Sequence, residues 1–217
     1  MSSRPLLLGH RGARAVKSIP ENTLASFDRA LADGCDGFEF DVRLSADGIP
    51  VVCHDPQTGD VEIARAPAGQ LPALPQLQDV LVRYQECAFL DIELKVSGIE
   101  KIAAALLHNF SPRRGFVVSS FLPEVLRAFH ALDSTVPLGL ICETNSELQH
   151  WREFPIEYLI PHYKLVDANL IREVRAAHKK LLVWTVNAPA DMQRLAKSGV
   201  DGIISDNASV LCRAISR

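Results

Sequence analysis

Apolar positions along this chain fall into short continuous runs, each followed by a stretch in which they recur every three or four residues. The runs at 6–8, 37–44, 89–94, 116–119, 137–142, 158–161, 181–186 and 202–204 predict strands. Between them, residues 22–32 carry Leu24, Phe27, Ala30 and Leu31 at helical spacing. Similar patterns predict helices at 77–84, 98–109, 123–132, 167–178, 189–197 and 208–215, with a weaker one at 146–151. One further short strand is expected at 50–53, followed by a Pro/Ala/Gly-rich stretch over 56–75.

The strands are continuous rather than alternating, as expected of a parallel sheet covered by helices. Eight strand–helix units with no break in composition predict a TIM (β/α)₈ barrel. It would be a single α/β domain over residues 1–217, with a short accessory segment after the second strand. A doubly wound open sheet is the competing architecture, but no GxGxxG turn supports it.

The strand at 37–44 breaks its apolar run in an informative way. Residues two apart share a strand face, so Glu39 and Asp41 project together while Phe38, Phe40 and Val42 point away. Like charges on a mostly apolar strand repel and lose hydration, and a divalent cation relieves both costs. Catalytic groups of such barrels come from the carboxyl ends of strands. By that rule His10, Arg11, His54, Glu93, Lys95, Ser119, Ser120, His162, Trp184 and Asn187 gather at the same rim.

Composition narrows the partners. The 217 residues are 47% apolar and 23% charged, ordinary for a globular protein. A net charge of −3, with no basic run longer than a pair, gives no footprint for nucleic acid or anionic membranes. Five scattered cysteines without CxxC spacing predict reduced thiols and a cytoplasmic location. No apolar run is long enough to span a membrane or to form a signal peptide. Nothing in the pattern marks an oligomer interface.

Glu39, Asp41 and Glu93 are hard oxygen donors with no Cys or His at ligand spacing beside them. They favour Mg²⁺ or Ca²⁺ over zinc, and Mn²⁺ would also fit. His10 and His54 suit proton transfer near neutral pH. Arg11 and Lys95 suit a phosphate: the first by paired hydrogen bonds, the second as a point charge. Trp184 offers an apolar wall for a small organic group. Each has a plainer alternative. The carboxylates could be solvated strand ends or partners of Arg11 and Lys95, either histidine could be a hydrogen-bonded structural residue, and Trp184 could be core.

In order along the chain stand His10-Arg11-Gly12, Pro20-Glu21-Asn22-Thr23, Glu39-Phe40-Asp41-Val42, Asp47-Gly48, His54-Asp55, Ile92-Glu93-Leu94-Lys95, Ser120-Phe121, Trp184-Thr185-Val186-Asn187 and Gly199-Val200-Asp201-Gly202-Ile203-Ile204-Ser205-Asp206. This ordered set resembles the glycerophosphodiester phosphodiesterases over essentially the whole chain. The resemblance implies a (β/α)₈ barrel that uses a divalent cation to hydrolyse a glycerophosphodiester to an alcohol and sn-glycerol 3-phosphate. It implies that Glu39, Asp41 and Glu93 hold the metal, and that His10 and His54 act as acid and base. Arg11 and Lys95 would contact the phosphate, with Trp184 beside the glycerol. Attack by the glycerol hydroxyl to give a cyclic phosphate and direct attack by water both remain open.

Two departures from the family pattern matter. The insertion after His54-Asp55 is reduced to residues 56–75, which is expected to leave the cleft more open. The glycine usual before the seventh strand is replaced by Lys179-Lys180-Leu181, which is expected to alter a turn. Small soluble diesters are the preferred substrates, because no amphipathic membrane-binding stretch is visible. Lysophospholipids are the alternative, and a non-catalytic binding barrel is the alternative of another class. An amidohydrolase-type site would need a His-x-His pair, which is missing.

Overall fold

The first and last strands of the chain lie side by side in parallel, with Leu6, Leu7 and Leu8 opposite Gly202, Ile203 and Ile204. That pairing closes the sheet. The structure is a computed structural model that describes residues 4–71 and 74–215. The barrel strands are β1 (Leu6–His10), β2 (Gly37–Leu44), β3 (Phe89–Leu94), β4 (Phe116–Ser120), β5 (Leu138–Cys142), β6 (Tyr158–Pro161), β7 (Lys180–Val183) and β8 (Gly202–Ser205). Each pairs in parallel with its sequence neighbours, and β8 returns to β1.

The helices are α1 (Leu24–Ala32), α2 (Leu77–Tyr84), α3 (Glu100–Asn109), α4 (Pro123–Leu132), α5 (Asn145–Leu148), α6 (Ala168–Ala176), α7 (Pro189–Ser198) and α8 (Ala208–Ile215). The expected (β/α)₈ barrel is therefore present, with the accessory strand Pro50–Val52 antiparallel to β2.

Two apolar layers hold it together. Inside the barrel, Leu8, Phe89, Val117, Ile141, Tyr158, Ile160, Leu182 and Ile204 form one cluster. Outside it, alternate residues of the same strands pack on the helices. Phe38 stacks on Phe27 of α1 with ring centres 4.2 Å apart, and Tyr84 of α2 meets Phe38 edge-on at 4.9 Å. Phe38, Phe40 and Val42 are thus committed to the outer layer, which forces Glu39 and Asp41 inward.

Element ends differ from the sequence expectation where side chains override periodicity. The first helix begins at Leu24, because Thr23 caps it through Ser26 N and Asn22 adopts φ 56°. α6 stops at Ala176, where His178 takes a left-handed φ of 54°. There His178 N donates to Arg175 O and Lys179 N to Val174 O, both at 3.0 Å, so a histidine fills the role that glycine usually takes in this motif. This turn leads into Lys179-Lys180-Leu181 and the seventh strand. β7 ends at Val183, and Trp184 continues only as a single bridge to His162.

The stretch 56–75 carries a small hairpin, Gln57–Thr58 with Val61–Glu62, and two 3₁₀ turns. Ile63, Ala66 and Leu71 bury against Val51 there, while residues 72–73 lie outside the described residues. All five cysteines are free; Cys35, Cys142 and Cys212 are buried. No helix among the described residues is long and apolar enough to cross a membrane.

Candidate active site

Strand register builds the site. His10 lies opposite Glu39, Glu39 opposite Asp91, and Asp41 opposite Glu93. Because alternate residues face inward, β1, β2 and β3 stack these side chains in two successive levels at the carboxyl mouth of the barrel. One oxygen from each of Glu39, Asp41 and Glu93 lies within 4.8 Å of the others, and the residues are only 4%, 1% and 7% exposed.

Burial and mutual repulsion set their charge. Burial, then the neighbouring Asp41 and Glu93, hold the Glu39 carboxyl well above the ordinary carboxylate range. Burial and Asp41 push Glu93 up to about 7. Burial works the same way on Asp41, but Lys95, Arg11 and Asn22 outweigh it and hold that carboxyl low. Glu39 Oε1 is buried without any hydrogen-bond partner. A buried orphan oxygen facing two more carboxylates is a costly arrangement for a chain on its own. The donor set is all oxygen and fits a hard divalent cation.

The loop between β1 and α1 aims further groups at this cluster. Arg11 adopts φ 51°, which turns its backbone N–H onto Glu39 Oε2 at 2.9 Å. Its guanidinium donates to Glu21 Oε1 at 2.6 Å, and Nε lies 3.2 Å from Asp41 Oδ2 without hydrogen-bond alignment. Gly12 follows at φ 82°, where a Cβ would strike Ser26 of α1. Asn22, also left-handed, donates Nδ2–H to Asp41 Oδ2 at 2.8 Å.

His10 Nδ1 is 2.6 Å from Asp206 Oδ1, and His10 Nε2 is 3.7 Å from Glu39 Oε2. Burial lowers the His10 pKa, against the pull of Asp206. Asp206 is itself held by Asn187 Nδ2 at 2.7 Å and by Arg14 Nη1 at 3.2 Å. His54 stands on the accessory segment with Nδ1 2.7 Å from Asp55 Oδ1, and its carbonyl accepts from Arg43 Nε at 2.8 Å. Lys95 Nζ lies 2.5 Å from Glu93 Oε1 and 3.3 Å from Asp41 Oδ1. Trp184 donates its indole N–H to Ile160 O at 2.9 Å and meets Phe121 edge-on at 5.5 Å.

These groups surround a cavity of about 350 Å³. His10, Arg11, Glu39, His54, Glu93, Lys95 and Trp184 all line it, with Asp41 buried behind them. Phe121, Ile141, Ile160 and Ile204 add apolar lining to it, alongside Glu143 and Thr185. None of its described lining residues comes from 56–75.

Other rim residues named from sequence serve the scaffold. Ser119 hydrogen-bonds Asp91, Ser120 donates to Leu94 O, and His162 packs against Trp184 outside the cavity. Asp206, Arg14, Glu21, Asn22, Asp91 and Phe121 were not assigned roles from sequence. Asp206 follows β8 directly, so the strand-end rule that selected His10 also pointed to it. Asp91 lies two residues before Glu93 and shares its face. Arg14, Glu21 and Asn22 lie in an irregular loop, where periodicity carries no signal.

A closed parallel barrel with titratable groups converging on one cavity at its carboxyl mouth defines the TIM-barrel enzymes. Within that class, the model of the glycerophosphoryl diester phosphodiesterase family matches residues 10–80 and 79–210, and the chain belongs to this family. It is 32% identical over 247 aligned residues to a glycerophosphodiester phosphodiesterase of Caldanaerobacter subterraneus subsp. tengcongensis, with 99% of each chain covered. Among solved structures it is similar to an Oleispira antarctica phosphodiesterase in complex with the product sn-glycerol-3-phosphate. That pair has a TM-score of 0.86 and 27% identity, covering 99% of this chain and 98% of the other. A Thermotoga maritima glycerophosphodiester phosphodiesterase shares the fold with a TM-score of 0.85 and 23% identity, over 98% of this chain and 99% of the other.

Proposed function

We propose that the protein hydrolyses small glycerophosphodiesters to an alcohol and sn-glycerol 3-phosphate, with Glu39, Asp41 and Glu93 holding a divalent cation, Mg²⁺, Ca²⁺ or Mn²⁺. The observation that carries this reading is the three-carboxylate cluster, whose Glu39 Oε1 has no partner. When bound, such a cation offsets the carboxylate charge and polarises a phosphoryl oxygen. The product bound to the Oleispira antarctica relative supports the substrate class.

The chain's own groups divide the remaining work. Arg11 and Lys95 bind and orient the phosphate and stabilise charge that builds on its oxygens. With Nδ1–H donated to Asp206, His10 presents a bare Nε2 that can take a proton from the nucleophile, either water itself or the glycerol hydroxyl, in which case water then opens the cyclic phosphate to glycerol 3-phosphate. His54 then gives a proton to the departing alcohol oxygen. Trp184 and Phe121 shield the glycerol carbons from water. The free cysteines suit a reducing compartment such as the cytoplasm.

A second reading, hydrolysis of lysophospholipids, is favoured by one feature. A groove of about 390 Å³, lined by Phe121, Pro123, Leu140, Ile141 and Phe154 together with Glu147, His150 and Glu153, shares Phe121 and Ile141 with the cavity, and its apolar side would take an acyl chain. A substrate panel separates the two readings by release of glycerol 3-phosphate or of its acylated form. Turnover of glycerophosphocholine at least tenfold above that of its 1-acyl derivative is expected. The reverse order would establish the second reading, and no turnover of either would refute both.

A further inference from the structure

Arg14 stands between the two halves of the chemistry just proposed. Its Nε–H donates to Glu21 Oε2 at 2.7 Å, and its Nη1–H donates to Asp206 Oδ1 at 3.2 Å. The other oxygen of Glu21 accepts from Arg11 Nη1 at 2.6 Å, and the same Asp206 oxygen lies 2.6 Å from His10 Nδ1. One guanidinium therefore joins the carboxylate that steers Arg11 to the carboxylate that steers His10. The backbone repeats the link, since Ala15 N donates to Asp206 O at 2.9 Å.

Stability alone is a poor reason for this arrangement. The Arg14 and Glu21 side chains are each 37% exposed, and ion pairs that exposed contribute little to folding. Holding a long arginine in one rotamer on two carboxylates also costs side-chain entropy. Arg14 nevertheless lines the cavity beside His10 and Arg11. A fork with separate N–H donors can hold two carboxylates at a fixed spacing, whereas a lysine ammonium acts as a single point charge.

We infer that Arg14 is a positioning residue. It locks Asp206 and Glu21 in one register, so that His10 and Arg11 address the same phosphodiester together. The inference rests on the roles proposed above for His10 and Arg11.

The test is steady-state kinetics with glycerophosphocholine at saturating Mg²⁺ for the native protein and for Arg14→Gln, Arg14→Lys, Arg14→Ala and His10→Ala, with melting curves alongside. Arg14→Gln is expected to lower kcat about 10–100-fold, the usual range for a residue that orients a reacting group, with KM changed less than about threefold. Arg14→Lys is expected to recover little of that loss, and added guanidinium ion to restore part of the kcat of Arg14→Ala. Combined with Asp206→Asn, the Arg14→Gln change should add almost nothing further. An unchanged kcat, a rise in KM alone, a fully additive double variant, or a loss explained by unfolding at the assay temperature would each overturn the inference. His10→Ala separates the levels. If it keeps full turnover, the underlying role of His10 fails. If it is inactive while Arg14→Gln is normal, only the positioning role fails.

Discussion

Asn22 and Asp41 hold each other by two hydrogen bonds: Asn22 Nδ2 donates to Asp41 Oδ2 at 2.8 Å, and the Asp41 backbone N–H donates to Asn22 Oδ1 at 3.3 Å. The amide fixes one oxygen of Asp41 and leaves Oδ1 toward Lys95 and the carboxylate cluster. Asn22→Gly keeps the left-handed backbone but removes the amide. It is expected to weaken Mg²⁺ or Ca²⁺ affinity about 10–100-fold by calorimetric titration. Asn22→Ala should lose the same affinity and also melt lower, by about 1–2 kcal/mol, because alanine is strained at that φ.

Lys95 carries the positive charge nearest to Glu93, and it lies 3.3 Å from Asp41 beside Arg11 Nε at 3.2 Å. Lys95→Met leaves buried Glu93 without its ion-pair partner and Asp41 with Arg11 and Asn22 alone, a loss of at most about 3–5 kcal/mol, reduced to the extent that Glu93 takes up a proton. Melting of the metal-free variant should show that loss, and saturating divalent cation should recover part of it. Equal destabilisation with and without metal would contradict the charge argument.

His178 holds a left-handed turn at some cost to an L-residue. His178→Gly is expected to stabilise the protein by about 0.5–1 kcal/mol, a rise in Tm of about 2–4 °C at most, with unchanged turnover.

Asp36 ties the chain entering β1 to the turn before β2. It accepts from Leu7 N at 2.9 Å and from Arg4 at 2.6 and 2.8 Å. Burial pushes its carboxyl up, but Arg4 and the Leu7 N–H outweigh it and hold the pKa below the usual range. A depressed folded pKa gives stability that is present above the unfolded value, about 3.9, and is lost as pH falls through the folded one. Asp36→Asn should therefore melt lower than the native protein at pH 7, by about 1 kcal/mol, and converge with it as pH falls through the folded value. A gap that persists at low pH would show that charge is not the cause.

The barrel was legible because eight apolar runs and the helical spacing of Leu24, Phe27 and Ala30 repeat one physical unit. Glu39 and Asp41 stood out because period two forced two charges onto one face of a strand whose other face is Phe38, Phe40 and Val42. Arg11 and His54 were legible beside strand ends, but the partners of the loop-borne groups were hidden. The partnership of Asp206 with His10 spans the closure of the barrel, and no local pattern encodes which strand-end carboxylate meets which histidine. Arg14 and Glu21 depend on a loop whose left-handed Arg11, Gly12 and Asn22 follow from tertiary contacts. The end of α6 moved because His178 took a conformation usually reserved for glycine.

The most direct measurement is glycerol 3-phosphate release from glycerophosphocholine by chelator-treated protein, before and after adding back Mg²⁺, Ca²⁺ or Mn²⁺, with metal binding followed in parallel for Glu39→Ala and His54→Ala. Chelation should abolish turnover and at least one cation should restore it. Glu39→Ala should lose metal affinity, whereas His54→Ala should bind metal normally and turn over slowly. Full turnover by the metal-free protein, or undiminished metal affinity in Glu39→Ala, would contradict the account.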